Sequence, residues 1–210
     1  MRLSITCAVL FFLSVAGSTY GQKTNNEEAR LRSLRSLIDG ITSIHLGELQ
    51  EAIAQLKAAL KADPNNDAAA FCLSQLAFKM GDYNSALSLA EKSTQLAPHN
   101  VWYWEWLAQL YLHQHRLQEA VNAYWQAIRT GRAPTKMYFT LLEICKVAHM
   151  WDQALTALDT LEQKLGTSPP IYAERAYILL ARNQPSLALQ TIQEGLERFP
   201  TDTTLMLGKV

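Results

Sequence analysis

The small and apolar residues of the chain recur with a period of 34 residues. The positions that mark this period most clearly are the alanines Ala52, Ala86, Ala120, Ala154 and Ala188. An aliphatic residue follows each alanine, and small or apolar residues recur four and seven positions further on. Because the spacing 0, 4 and 7 lies on one face of a helix, the pattern predicts five tandem helical repeats.

Each repeat is predicted to contain two helices joined by a turn. Twelve residues before each alanine stands another residue of the packing face: Gly40, Ser74, Ala108, Leu142 and Ala176. Turn formers such as Gly81 and Asp82 separate the helices, and prolines such as Pro64 and Pro98 end the second one. Two positions after a proline, N-cap residues begin the next helix: Asn66, Asn100 and Asp202. The predicted repeats are residues 33–66, 67–100, 101–134, 135–168 and 169–202.

Residues 203–210 have the pattern of a further first helix. Leu205, Met206 and Leu207 are its apolar positions, and no second helix follows that would cover them. Either this helix packs without a partner or the natural chain continues past Val210. We expect the second of these.

Residues 1–21 have the pattern of a secretory signal peptide. Arg2 precedes an apolar run from Ile5 to Ala16, and small residues follow the run. The run is shorter than the roughly 20 apolar residues that cross a bilayer. We therefore predict an exported protein, periplasmic or secreted, with no membrane span after cleavage. Cleavage after Gly21 is preferred and cleavage after Ser18 is the alternative; residues 22–32 then lead into the first helix.

Charge and motif content argue against several function classes. The chain has 19 basic and 19 acidic residues, so it lacks the basic excess that is typical of nucleic-acid binding. No glycine-rich phosphate loop is present, and His113 and His115 have no cysteine or acidic partner of metal-site spacing. We predict no nucleic-acid partner, no metal, no cofactor and no enzymatic activity.

Two cysteines lie beyond the predicted signal peptide, Cys72 and Cys145. They fall on first helices two repeats apart. Because packed helices lie about 8–10 Å from their neighbours, this separation exceeds the roughly 7 Å limit of a disulfide. We therefore expect two buried free thiols.

The third repeat resembles a known family. Its residues Trp104-x-x-Leu107-Ala108-x-x-Tyr111, followed by Ala120-x-x-x-Tyr124, are similar to the tetratricopeptide pattern W-x2-L-G-x2-Y…A-x3-F. The resemblance covers residues 33–202. It implies an all-α solenoid of stacked antiparallel helical hairpins, which serves as a scaffold for binding other polypeptides. Trp104 is a core position of the pattern, so we expect it to be buried.

In such a stack the first helices line a concave groove. The groove candidates are the first-helix residues that point away from the packing face: Phe71, Gln75, Phe78, Trp102, Glu105, Trp106, Gln109, His113, Lys136, Phe139, Glu143, Lys146, Glu174 and Tyr177. Aromatic groups alternate with polar ones, which suits an extended or helical peptide. The predicted partner is a protein or peptide, and the family resemblance implies a place in a cell-envelope or secretion assembly.

Three alternatives stay open on the sequence alone. Trp102, Tyr103 and Trp106 would also suit the stacking of sugar rings, as in glycan or cell-wall binding. Trp102 and Trp106 would instead have a purely structural role if they packed between neighbouring repeats. Lastly, the repeats would be the helical arm of a longer enzyme if activity were encoded beyond Val210.

Overall fold

The computed structural model describes the backbone of residues 4–208 and the side chains of residues 25–208. Its regular elements in this part of the chain are α-helices. Their bounds are α1 (Ser4–Leu46), α2 (Leu49–Ala62), α3 (Asp67–Lys79), α4 (Tyr83–Leu96), α5 (Val101–His113), α6 (Leu117–Arg129), α7 (Thr135–Val147), α8 (Trp151–Leu165), α9 (Pro169–Ala181), α10 (Pro185–Arg198) and α11 (Thr203–Leu207).

The chain divides into two compact units, Met1–Ala97 and Pro98–Val210. In the N-terminal unit, α1 pairs with α2, α3 pairs with α4, and α2 packs on α3. In the C-terminal unit, α5, α7 and α9 each pair with the helix that follows, and α6 and α8 pack on the next hairpin. Stacked helical hairpins of this kind confirm the predicted fold class, an all-α solenoid.

The predicted packing face forms the core of the hairpins. All five alanines of the 34-residue period are buried, and so are the residues four and seven positions beyond them. The residues twelve positions before the alanines are buried as well. In one hairpin the contact is a hydrogen bond, since the Ser74 hydroxyl donates to the Ala86 carbonyl at 2.6 Å. Small residues at these positions allow the two helices to approach closely.

The turns within the hairpins share one backbone conformation. A residue with positive φ recurs every 34 positions: Gly47, Gly81, His115, His149 and Asn183. Glycine takes this left-handed conformation without cost, whereas histidine and asparagine adopt it less readily. The predicted N-caps are also present, because Asn66, Asn100 and Asp202 accept hydrogen bonds from Ala69, Trp102 and Leu205.

The first helix extends beyond its predicted repeat. Helix α1 runs without a break from Ser4 to Leu46, so residues 22–32, predicted to lead into the first helix, are themselves helical. Among the described side chains of α1, Ser33, Leu37 and Gly40 are buried, whereas residues 25–32 are exposed apart from the half-buried Ala29. The predicted signal peptide falls on the first part of this helix, where residues 1–3 lie outside the described residues. No helix in the described part of the chain has the length and apolar character needed to cross a membrane.

Helix α11 completes the core of the last hairpin. Leu205 is fully buried together with Ala188 and Ile192, although its neighbours Met206 and Leu207 are exposed. The predicted further helix is therefore present over Thr203–Leu207, and residues 209 and 210 lie outside the described residues.

Candidate functional site

The predicted groove residues of the C-terminal unit lie on three first helices, α5, α7 and α9. Every one of them is exposed or half-buried, and none belongs to the core. Three rings are the most accessible: Trp102 is 56% exposed, Phe139 49% and Tyr177 53%. We call this surface the first-helix face of the C-terminal unit. Its members are Trp102, Glu105, Trp106, Gln109, His113, Lys136, Phe139, Glu143, Lys146, Glu174 and Tyr177.

Lys146 connects two of these helices. Its ammonium group donates to Glu143 Oε1 at 2.9 Å on its own helix α7 and to Glu174 Oε2 at 3.0 Å on α9. The same nitrogen lies 5.1 Å from the centre of the Tyr177 ring, which is a cation–π distance. Four predicted groove residues are thereby held in one cluster across α7 and α9.

Lys146 keeps its positive charge at neutral pH. Burial lowers the pKa of Lys146, but the hydrogen bonds and negative charges of Glu143 and Glu174 outweigh it, so the pKa lies above its usual value. One positive and two negative groups give the cluster a net charge of −1. The two carboxylates therefore share a single counter-charge.

Glu105 lies on the same face in a different environment. It is half-buried on α5, one turn after Trp102 and one turn before Gln109. Its negative charge acts on the buried phenol of Tyr124: burial first, and then Glu105, raises the pKa of Tyr124 to about 12. The Glu105 carboxylate therefore lies close enough to the core of the hairpin to disfavour ionisation of Tyr124.

The groove candidates of the N-terminal unit are less accessible. Phe71, Gln75 and Phe78 on α3 are all half-buried, and the Phe78 ring lies 5.4 Å from the Tyr83 ring at an interplanar angle of 60°. A ring contact at this distance covers part of the Phe78 surface. These residues are therefore less available to a ligand than the rings of the C-terminal unit.

Four exposed apolar residues were missed by the sequence analysis. Leu34 and Ile38 on α1 lie two periods before Trp102 and Trp106, and Val147 and Leu180 lie one period after His113 and Lys146. All four are exposed on first helices. These four residues could have been found in the sequence by shifting the predicted groove positions by one or two 34-residue periods.

Several sequence expectations about single residues are wrong. Tyr103 is buried, so it is not available as part of a sugar-stacking platform with Trp102 and Trp106. Trp104 is half-buried, and its indole N–H donates to the Pro98 carbonyl at 2.8 Å. Cys72 is half-buried, whereas Cys145 is buried as expected. The aromatic residues of α5 therefore divide between core and surface differently from the prediction.

Cys72 and Cys145 are free thiols, and both have a pKa above the usual value for cysteine. Burial raises the pKa of Cys72 above its usual value and that of Cys145 to about 11. A thiolate is the nucleophilic form, so both groups are protonated and weakly nucleophilic near pH 7. Within residues 25–208, no group of three or more His, Cys, Asp or Glu side chains is arranged to hold a metal ion.

Two open clefts lie away from the rings of the first-helix face. One, of about 580 Å³, lies between α1 and the start of α3 in the N-terminal unit, and residues such as Arg30, Leu34 and Asp67 line it. The other, of about 480 Å³, lies between the second helices α6 and α8, and residues such as Trp125 and Thr156 line it. Both are within the usual size range for small-molecule pockets.

Comparisons with known proteins agree with this architecture. A family model described as "Anaphase-promoting complex, cyclosome, subunit 3" matches residues 45–127. No curated protein matches the chain. Among solved structures, YrrB, described as a TPR protein with an unusual peptide-binding site, has a TM-score of 0.59 at 15% identity, covering 87% of this chain and 94% of its own.

Two further structures share the fold. MamA has a TM-score of 0.57 at 20% identity, and the alignment covers 79% of this chain and 91% of MamA. PilF of Pseudomonas aeruginosa has a TM-score of 0.55 at 14% identity, covering 91% and 92%. At these identities the likeness concerns the fold. Taken together with the 34-residue period, it shows that the chain has the fold of tetratricopeptide-repeat proteins.

Proposed function

We propose that the protein is an exported, non-catalytic scaffold that binds a polypeptide segment on the first-helix face of the C-terminal unit, within a cell-envelope or secretion assembly. The observation that carries this proposal is the set of three half-exposed rings, Trp102, Phe139 and Tyr177, on three successive first helices. Large aromatic groups with accessible faces are typical anchors in binding surfaces. The peptide-binding site described for YrrB, which has the same fold, supports the assignment.

The surface is partly ordered before a ligand arrives. Lys146 holds Glu143, Glu174 and Tyr177 in fixed positions, so these side chains lose less conformational freedom on binding. Three rings that each bury on the order of 100 Å² contribute about 7 kcal/mol at about 25 cal/mol per Å². Association costs at least about 4 kcal/mol, so the three rings alone give no better than millimolar affinity for a short peptide, and tighter binding requires the polar contacts of the face as well.

Removing two anchors is expected to abolish most of this binding. The double variant Phe139→Ala, Tyr177→Ala should weaken the binding of peptides selected on the wild-type protein by at least about tenfold, because two ring contacts are lost. Fluorescence anisotropy with labelled peptides measures the dissociation constants.

The matched control is Leu165→Ala, Leu187→Ala. These leucines are about as exposed as the two rings and belong to the same unit, but they lie on the second helices α8 and α10. The control should bind within about twofold of the wild type, which is within the usual effect of surface substitutions. Equal losses in both variants, or failure to select any peptide, would contradict the proposed binding surface.

Export is tested separately through processing of the chain. When the full-length protein is produced in a bacterial host, mass spectrometry of the exported fraction should find a chain that begins at Gln22. Thr19 is the expected first residue if cleavage follows Ser18.

A charged residue in the apolar run provides the control for export. Leu10→Arg interrupts the run that the export machinery must recognise, so this variant should stay at full length inside the cell. An unprocessed wild-type chain, or equal processing of wild type and Leu10→Arg, would show that residues 1–21 are not a signal peptide.

A further inference from the structure

Glu105 is a half-buried residue whose carboxylate has no cationic partner. Within residues 25–208 it makes neither a hydrogen bond nor an ion pair, whereas Glu143 and Glu174 on the same face share Lys146. The hydrogen-bonding capacity of this carboxylate is therefore left to solvent or to a ligand. A cation supplied by a ligand would form the ion pair that the described part of the chain does not supply.

Arginines elsewhere in the unit do not supply this charge. Arg116, Arg175 and Arg182 are paired with Glu119, Glu162 and Asp152. In the described part of the chain, the other arginines of the unit form no ion pair with Glu105 either. The first-helix face itself carries three glutamates and two lysines, Lys136 and Lys146. The face therefore carries a net charge of −1, and its one partly buried acid without a partner is Glu105.

An exposed indole lies on the same face of α5 as this carboxylate. Trp102 precedes Glu105 by one turn of α5 and is 56% exposed. Phe139 occupies the equivalent repeat position on α7, 34 residues after Glu105, and is also about half exposed. An ammonium or guanidinium group beside a carboxylate and over an indole ring gains both an ion pair and a cation–π contact.

We propose that Glu105 and Trp102 bind the side chain of a lysine or arginine in the bound polypeptide. The inference rests on the proposed function, because it assigns a chemical class to the segment that the first-helix face binds. A free metal ion is the less suitable occupant, since a single carboxylate offers too few ligands and the described residues around it form no metal cluster. A long basic side chain reaches the carboxylate and covers the ring with its methylene groups.

The test is a double-mutant cycle between protein and peptide. A random 12-residue peptide library is displayed on phage and selected in parallel on the wild-type protein, Glu105→Gln, Glu105→Lys and the control Glu197→Gln. Glu197 is an exposed glutamate on α10, away from the first helices. Each basic residue of the best wild-type peptide is then replaced by glutamine, and the dissociation constants are measured on all four proteins.

On the wild type, replacing one particular basic residue should weaken binding by at least about tenfold, as expected for a partly buried charge-assisted contact. On Glu105→Gln the same replacement should cost less than about twofold, whereas Glu197→Gln should behave like the wild type. Trp102→Ala should weaken the binding of the unsubstituted peptide by about two- to fivefold, because the cation–π contact with the same basic residue of the peptide is lost. Peptides selected on Glu105→Lys should be enriched in acidic residues.

Three results would overturn the inference. The first is selection of peptides without basic residues on the wild type. The second is a basic residue whose replacement costs the same on wild type and Glu105→Gln. Both leave the proposed peptide-binding function intact, because peptides still bind and still depend on Phe139 and Tyr177. The third, failure to select any peptide on the wild type, removes the proposed function as well.

Discussion

Replacing Leu158 by alanine is expected to lower the free energy of unfolding by about 2–5 kcal/mol, the usual cost of truncating a buried leucine. Leu158 lies on α8, four residues after Ala154, and is 1% exposed. Removing its side chain leaves a cavity in the packing face of a hairpin, which the surrounding helices fill incompletely. Urea denaturation followed by circular dichroism at 222 nm measures the change through the midpoint and slope.

A second leucine on the same helix provides the control. Leu165 is 53% exposed, so Leu165→Ala should change the free energy of unfolding by no more than about 0.5 kcal/mol. The two variants remove the same atoms and differ only in burial. If both lost the same stability, the assignment of the packing face to positions 0, 4 and 7 after each alanine would be wrong.

Gly40→Val is expected to destabilise the N-terminal unit by about 1–3 kcal/mol through overpacking. A Cβ atom at Gly40 would lie 2.8 Å from Leu56 Cγ and 3.3 Å from the Ala52 carbonyl oxygen. Leu56 is fully buried, so it has little room to move, and valine adds two further methyl groups. Thermal unfolding of the variant should show a lower midpoint.

Ala54→Val tests whether valine alone is responsible. Ala54 is exposed on α2, so the substitution there adds a β-branched residue to a helix without creating a clash. It should cost a few tenths of a kcal/mol from helix propensity. A Gly40→Val protein as stable as the Ala54→Val protein would show that α1 and α2 do not approach as closely as the structure has them.

Gly40 also shows that the 34-residue period does not predict which side-chain size a position tolerates. At the equivalent positions the chain has Ser74, Ala108, Leu142 and Ala176, which suggests that a larger residue than glycine is tolerated. The structure shows that the space in the first repeat is already occupied by Leu56. Equivalent positions share a direction on their helices, but the free volume at each depends on the residue opposite.

The position of helices and turns was predictable because it depends on local spacing. A small or apolar residue every 34 positions, a turn former between helices and an N-cap residue after three of the prolines specify hairpins from short stretches of chain. The left-handed conformation at His115 and His149, in register with Gly47 and Gly81, follows from the same period. The start of α1 was not predictable in this way, because Thr24, Asn25 and Asn26 are N-cap residue types followed by Glu27, yet the helix continues through them.

The candidate site was predictable only as a set of residues. Side chains that point away from the packing face reach the surface, which is why all the predicted groove residues of the C-terminal unit avoid the core. The division among the aromatic residues of α5 was not foreseen. Tyr103 and Trp104 depend on contacts outside their own helix, so Tyr103 is buried and Trp104 donates its indole N–H to Pro98.

By itself, therefore, the sequence determined the period, the hairpins, the packing face and the list of residues available for binding, since each depends on neighbours within a few turns of helix. Tertiary structure alone decided which charges meet. Lys146 and Glu174 are 28 residues apart and become partners only when α9 lies beside α7. Glu105 lacks a partner for the same reason, because ion pairing depends on distances of a few ångströms that spacing along the chain does not specify.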